Sequence, residues 1–227
     1  MFPLRDTVRT YKYPIFTTFI IGANAFVFFL ELTAPDTEAF IAQYALIPAR
    51  VNFSDFSSLS PFITSQFLHA GFFHILSNMW FLKIFGDNVE ERLGRIFFLF
   101  IYLMSRVVGG FMQYLFTPSS TIPMLGASGA VAGVLGAYLV FFPRHQIETL
   151  IPFGFYMSTV RLSASVMLIY WFATQIFSGV GSIAVSQIGG VAFWAHVGGF
   201  ISGWFIAKLF PNSKREIEEG EIIDQDL

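Results

Sequence analysis

Residues Gly126 to Tyr138 read GASGAVAGVLGAY, a run of small and apolar residues without a charge, preceded by Pro123 and followed by Pro143. Proline sits poorly inside a helix, so the two prolines bracket one helix from about Ala127 to Phe142. About 16 residues at about 1.5 Å each cover about 24 Å, less than the roughly 30 Å of a bilayer's hydrocarbon core. Either the first turn is sunk below the surface or the bilayer thins around it. Ser128 then lies at a submerged helix N-terminus, where free N–H groups and the positive end of the dipole favour a developing negative charge.

The rest of the chain agrees with a membrane setting. Of 227 residues, 55% are hydrophobic and only 12% charged, about half the charge of an ordinary soluble domain. Thirty Phe residues exceed what a short soluble chain can hide in a core. A net charge of −2 without a basic cluster gives no reason to expect nucleic acid as a partner. With no Cys there are no disulfides and no thiolate metal sites, and the redox compartment stays open.

Six segments qualify as spans or nearly so: about Pro14–Thr33, Phe72–Gly86 (the least apolar), Ile96–Phe116, Ala127–Phe142, Leu162–Val180 and Gly190–Phe210. Pro35, Pro61, Pro118, Pro152 and Pro211 fall between them. The first segment is too long for a signal-peptide core and is not followed by a small-x-small cleavage site, so it reads as a retained helix. The expected fold is all-α, a six-helix membrane bundle over 14–210. A short N-terminal segment, 1–13, precedes it and an acidic tail, 211–227, follows. There is no tandem repeat and no low-complexity segment.

Six spans put both termini on one side of the membrane. That side collects Arg5, Arg9, Lys12, Lys83, Arg92, Arg95, Arg144, Arg161, Lys208, Lys214 and Arg215. The other side has Arg50 alone, while Arg106 lies within the third span. The positive-inside rule makes the termini cytoplasmic and the loop from Ala34 to Ala70 extracytoplasmic. Spans two, four and six then enter from the outer side. His74 and Asn78, Ser128, and His196 share one depth just beneath it.

Span six carries Gly198, Gly199 and Gly203, and span four carries Gly133 and Gly136. Small-xxx-small surfaces let membrane helices approach closely. If Gly133 packs near Gly199, the imidazole of His196 comes within reach of Ser128, as an activated nucleophile requires. Each residue alone has an ordinary reading. A membrane Ser usually bonds the carbonyl one turn back, and His or Asn can serve as glue between helices. Four such residues at one depth on three helices point to a site.

Metal chemistry is the rival use of histidine. His69 and His74, five residues apart, share a helix face poorly, and no HExxH occurs. His145 belongs to the other side. No carboxylate pair sits in two facing spans, and Asp36, Glu38 and Asp55 lie in the outer loop. The expectation is a Ser–His dyad without metal or cofactor.

On these residues the chain resembles the rhomboid family of intramembrane serine proteases. The matching stretches are ITSQFLHAGFFHILSNMWFLKIFGDNVEERLG (Ile63–Gly94), GASGAVAGVLGAY (Gly126–Tyr138) and AHVGGFISG (Ala195–Gly203). The resemblance implies that Ser128 is the nucleophile and His196 the general base. It implies oxyanion stabilisation by His74 and Asn78 together with the Ser128 N–H. It implies structural roles for Glu90 and Arg92 as a cytoplasmic pair, and a structural or hydrating role for His69. It further implies no metal or cofactor, single-pass transmembrane proteins as substrates, and entry past the fifth span.

Two features depart from the family pattern. Some rhomboids stack a Tyr, four residues after the Ser, on the catalytic His; here that position is Ala132, so another group must orient His196. Arg106 occupies the middle of span three, where a small residue is expected. A membrane-centre Arg costs about 3 kcal/mol on insertion scales, so it should face the interior, with Glu31 on span one as the candidate partner.

The first rival function is an inactive rhomboid-like protein that binds membrane clients, which loss of Ser or His would have favoured. A small transporter would show charged pairs and interrupted helices in matching halves, and neither is present. The sequence points to a bacterial-type inner membrane. Substrate identity and oligomeric state are not legible in it.

Overall fold

The computed structural model describes residues 1–7, 10–153, 156–183 and 191–210. Among these, α1 (Ile15–Thr33) leads into an outer segment holding α2 (Thr37–Tyr44), α3 (Pro61–Thr64) and three short 3-10 turns. The larger helices α4 (Phe72–Leu93), α5 (Arg95–Phe116), α6 (Ser128–Phe141), α7 (Ala164–Ile183) and α8 (Phe193–Lys208) follow. The acidic tail over 211–227, Arg9 and the expected Gly190 start of the last span lie outside the described residues.

Among the described residues, three helices are long and apolar enough to cross a membrane: Ile15–Thr33, Arg95–Phe116 and Ala164–Ser182. The chain is an integral membrane protein with multiple apolar helices. The other three expected spans miss that measure for physical reasons. The inner half of α4 carries Lys83, Asp87, Glu90, Glu91 and Arg92. α8 has 16 residues and α6 only 14. α6 is short because it does not have to meet lipid. Almost every residue from Gly129 to Tyr138 is buried, and α4, α5, α7 and α8 pack around it.

Glycine sets the closest of these contacts. A Cβ added to Gly199 would lie 2.0 Å from the Gly129 carbonyl oxygen, and one on Gly203 would lie 1.9 Å from that of Gly133. The expected approach of Gly133 to Gly199 is present, a Cβ added to Gly133 lying 3.1 Å from the Gly199 carbonyl oxygen, flanked by these two tighter ones. Gly133 also receives Ser105 of α5, and Gly109 of α5 abuts the Ala195 carbonyl. α5, α6 and α8 therefore meet backbone to backbone.

The fold is not all-α. β1 (Phe2–Asp6), β2 (Gln146–Phe153) and β3 (Tyr156–Ser163) form an antiparallel sheet in the order β1-β2-β3. β2 shows the period of a half-buried strand: Ile147 and Thr149 are buried, and Gln146, Glu148 and Leu150 less so. Pro152 is tolerated because β1 reaches only to Leu150, so Pro152 has β3 alone as neighbour. The N-terminal segment thereby contributes a strand to the fold. Pro3 accepts the indole N–H of Trp80 at 2.8 Å, and Phe2 stacks on the same ring. Across the sheet Glu148 accepts from both Arg5 and Arg161, which holds its carboxyl below the usual range.

Candidate active site

α6 begins at Ser128 because the chain turns sharply just before it. Gly126 has φ +111°, a conformation that suits glycine, and its N–H donates to the Ser65 carbonyl at 2.9 Å. The absence of a side chain there brings the backbone against α4. A Cβ on Gly126 would lie 2.6 Å from His74 Nε2 and 3.6 Å from Asn78 Nδ2. No side chain caps the first turn of α6, so its free N–H groups are available beside Ser128.

A cavity of about 750 Å³ opens at this point. Ser128, His196, His74 and Asn78 all line it, with Ala132, Trp171 and the Ile122–Leu125 loop. Four residues from α4, α6 and α8 thus share one chamber. Asn78 is buried and its Nδ2 has no partner among the described residues. His74 Nδ1 accepts the Ala70 N–H at 3.4 Å, which leaves the Nε2 proton directed toward Gly126. Two donors therefore converge near the start of α6. Ser128 and His196 face the same space without a direct hydrogen bond between them.

His196 is held from α7. Its Nδ1 lies 2.7 Å from Gln175 Oε1. The Gln175 amide is itself oriented, with Nε2 donating back to the Trp171 carbonyl and to Thr174 Oγ1. The Trp171 ring lies 5.8 Å from the imidazole at an angle of 31°. The start of α8 is fixed separately: the Trp194 N–H donates to Gln113 Oε1 of α5 at 3.1 Å.

Residues 57–213 match the model of the rhomboid domain. The chain belongs to the rhomboid family. It is 32% identical to the mitochondrial RHOMBOID-like protein 6 of Arabidopsis thaliana over 154 residues, covering 66% of this chain and 44% of that one. It is 30% identical to the mitochondrial presenilin-associated rhomboid-like protein of Mus musculus over 199 residues, 83% of this chain and 47% of that one. Rhomboid protein 1, mitochondrial, of Saccharomyces cerevisiae is 28% identical over 210 residues, 86% and 54% respectively. The chain spans about half the length of these relatives.

The remaining motif positions of this rhomboid chain lie apart from the cavity. His69 is buried behind His74, ring centroids 5.1 Å apart, and its backbone N–H donates to Glu31 at 3.0 Å. Glu90 caps another helix: its carboxylate accepts the N–H groups of Phe16 and Thr17 and the Thr17 hydroxyl, all within 2.9 Å. Arg92 lies over the Phe141 ring at 4.8 Å. Gly199 and Gly203 lie in the α6–α8 contact. Among the described residues no group of three His, Cys, Asp or Glu could hold a metal.

Sequence reasoning missed two contacts. Glu31 is not the partner of Arg106, because it is engaged by His69. Arg106, fully buried, donates instead to the hydroxyl of Ser65, the residue whose carbonyl holds Gly126. Gln175 was overlooked as well. The signal available was an amide in the midst of an apolar helix, which in a membrane calls for a polar partner.

Proposed function

We propose that this rhomboid chain is an intramembrane serine endopeptidase. The observation that carries the reading is the single chamber lined by Ser128, His196, His74 and Asn78, with a buried, unpartnered amide donor beside the uncapped start of α6. His196 Nε2 takes the Ser128 proton as Oγ attacks a peptide carbonyl. The oxyanion is received by Asn78, His74 and the Ser128 N–H. The imidazolium then protonates the leaving amide nitrogen, and water releases the acyl-enzyme. No step calls for a metal or cofactor.

The substrates are single-pass membrane proteins. The setting proposed is six spans in a bacterial-type inner membrane, with both termini cytoplasmic and the chamber open to the extracytoplasmic side. The positive-inside count supports this orientation. The bundle end opposite the chamber also carries the sheet with Arg5, Arg161 and Glu148.

The test is cleavage of a co-expressed transmembrane substrate together with labelling by a fluorophosphonate. Both should vanish in Ser128→Ala and in His196→Ala while the protein still folds. Cleavage that persists in Ser128→Ala overturns the assignment. A wild-type chain that is folded, unlabelled and retains bound membrane proteins would be a non-cleaving client binder.

A further inference from the structure

The rhomboid resemblance leaves one requirement of the site unmet. A general base works only if its ring is held in one orientation and one tautomer. Where a Tyr would stack on the His from α6, this chain has Ala132, which supports nothing. Among the described residues that line the cavity there is no carboxylate either: the charged or titratable groups acting on the imidazole are His74 of α4 and Arg106 of α5, and the lining contributed by α6, α7 and α8 holds none besides His196 itself. The Phe193 ring of α8 stands edge-on to the imidazole, and the imidazole's only hydrogen bond among the described residues comes from α7.

We infer that Gln175 is the positioning residue for His196, which turns the expected dyad into a Ser128–His196–Gln175 relay with a neutral third member. The inference rests on the protease reading above and deepens it. The argument is one of hydrogen-bond polarity. Gln175 Nε2 is used on its own helix, on the Trp171 carbonyl and the Thr174 hydroxyl. That directs Oε1, which can only accept, at His196 Nδ1. A neutral imidazole meeting an acceptor at Nδ1 must carry its proton there. Nε2 is then the bare nitrogen, and it belongs to the side of the ring opposite Gln175.

The proton inventory closes. Nε2 takes the Ser128 proton as the Oγ–C bond forms. It returns that proton to the leaving nitrogen as the C–N bond breaks. Nδ1 keeps its own proton throughout, donating to Gln175. Trp171, one turn away on the same helix and itself a wall of the cavity, limits rotation of the ring from its face. α7 therefore takes over the task that a stacked Tyr on α6 performs elsewhere in the family.

The experiment uses the full chain in proteoliposomes with a transmembrane test substrate. Gln175→Leu keeps the bulk and removes the acceptor. It should lower kcat about 100-fold with KM little changed, the low end of what a general base contributes. Gln175→Glu keeps an acceptor at the same reach and should restore most of kcat. With ¹⁵N-labelled histidine, the His196 ring should show a single tautomer with Nδ1 protonated in the wild type and a mixture in Gln175→Leu. Should the Leu variant not fold, Gln175→Asn, one methylene too short to reach, should show the same loss of kcat. Wild-type kcat in Gln175→Leu or Gln175→Asn overturns the inference, as does a wild-type ring protonated at Nε2. Labelling that survives in Ser128→Ala overturns the protease reading and this one with it. Labelling that depends on Ser128 with rates indifferent to position 175 overturns this one alone.

Discussion

Gly126 and His74 approach so closely that a single methyl group on Gly126 would lie 2.6 Å from the imidazole Nε2. The contact is tight and the backbone there is left-handed, so both space and conformation demand glycine. Gly126→Ala should push His74 and Asn78 away from the start of α6. On the proposed mechanism, loss of aligned oxyanion donors predicts a fall in kcat of about 10²-fold, against a stability loss of only about 1–3 kcal/mol. Turnover and thermal melting measured on the same preparation separate the two effects.

The α6–α8 contact predicts a larger structural effect. A side chain on Gly203 would occupy the Gly133 carbonyl oxygen, 1.9 Å away, and backbone cannot yield as a flexible side chain does. Gly203→Val should cost roughly 3 kcal/mol or more, the upper range for overpacking, and raise protease sensitivity in detergent. Gly22 is the control. It lies in α1 with nothing within 4 Å of an added Cβ. Gly22→Ala should leave stability unchanged or improve it by about 0.5–1 kcal/mol.

Glu90 joins the far end of α4 to the first turn of α1. Glu90→Ala leaves the N–H groups of Phe16 and Thr17 without their acceptor in a buried setting. The expected destabilisation is about 1–3 kcal/mol, with hydrogen exchange accelerated first at residues 15–18. Exchange that spreads evenly over the bundle would contradict this local role.

Asp6 gives the N-terminal strand a pH dependence. Burial pushes its carboxyl up to about 7, with the charge of Asp87 adding to the effect and the Tyr138 hydroxyl opposing it. A carboxyl that binds its proton more tightly folded than unfolded favours the folded strand at low pH. That contribution is complete below the ordinary value of 3.8 and is lost as pH rises through about 7. Amide protection over residues 2–6 should therefore decline between about pH 4 and pH 7 in the wild type. In Asp6→Asn it should stay flat across that range.

Much of this was readable in advance because membrane helices leave plain marks. Proline positions, charge asymmetry and glycine spacing located the bundle and brought Ser128, His196, His74 and Asn78 to one depth. What was not readable has physical reasons. The strands are hidden because Pro143 and Pro152 read as marks of a loop, although Ile147 and Thr149 alternate with more polar or more exposed neighbours. Arg106 was assigned a charged partner, yet its hydrogen bond goes to a hydroxyl in the outer segment, a contact between residues 41 positions apart that no local pattern encodes. Gln175 was unreadable for a similar reason. Its meaning depends on which way α7 faces, and an apolar helix surrounded by lipid and protein gives little periodicity to reveal that.

The shortness of α6 has a consequence for the bilayer itself. Being sheathed by its neighbours, the helix that carries Ser128 takes no part in matching the hydrocarbon thickness of the host membrane. That match falls to α1, α5 and α7, whose outward faces are lined with exposed phenylalanine, leucine and isoleucine. Thicker or thinner membranes will be accommodated by tilting of those outer helices. Of the three, α1 packs mainly on α4, whereas α5 meets α6 and α8 backbone to backbone. Hydrophobic mismatch therefore has two direct routes to the chamber, one through α5 to the helix that carries Ser128 and one through α7 to the residue that holds the His196 imidazole.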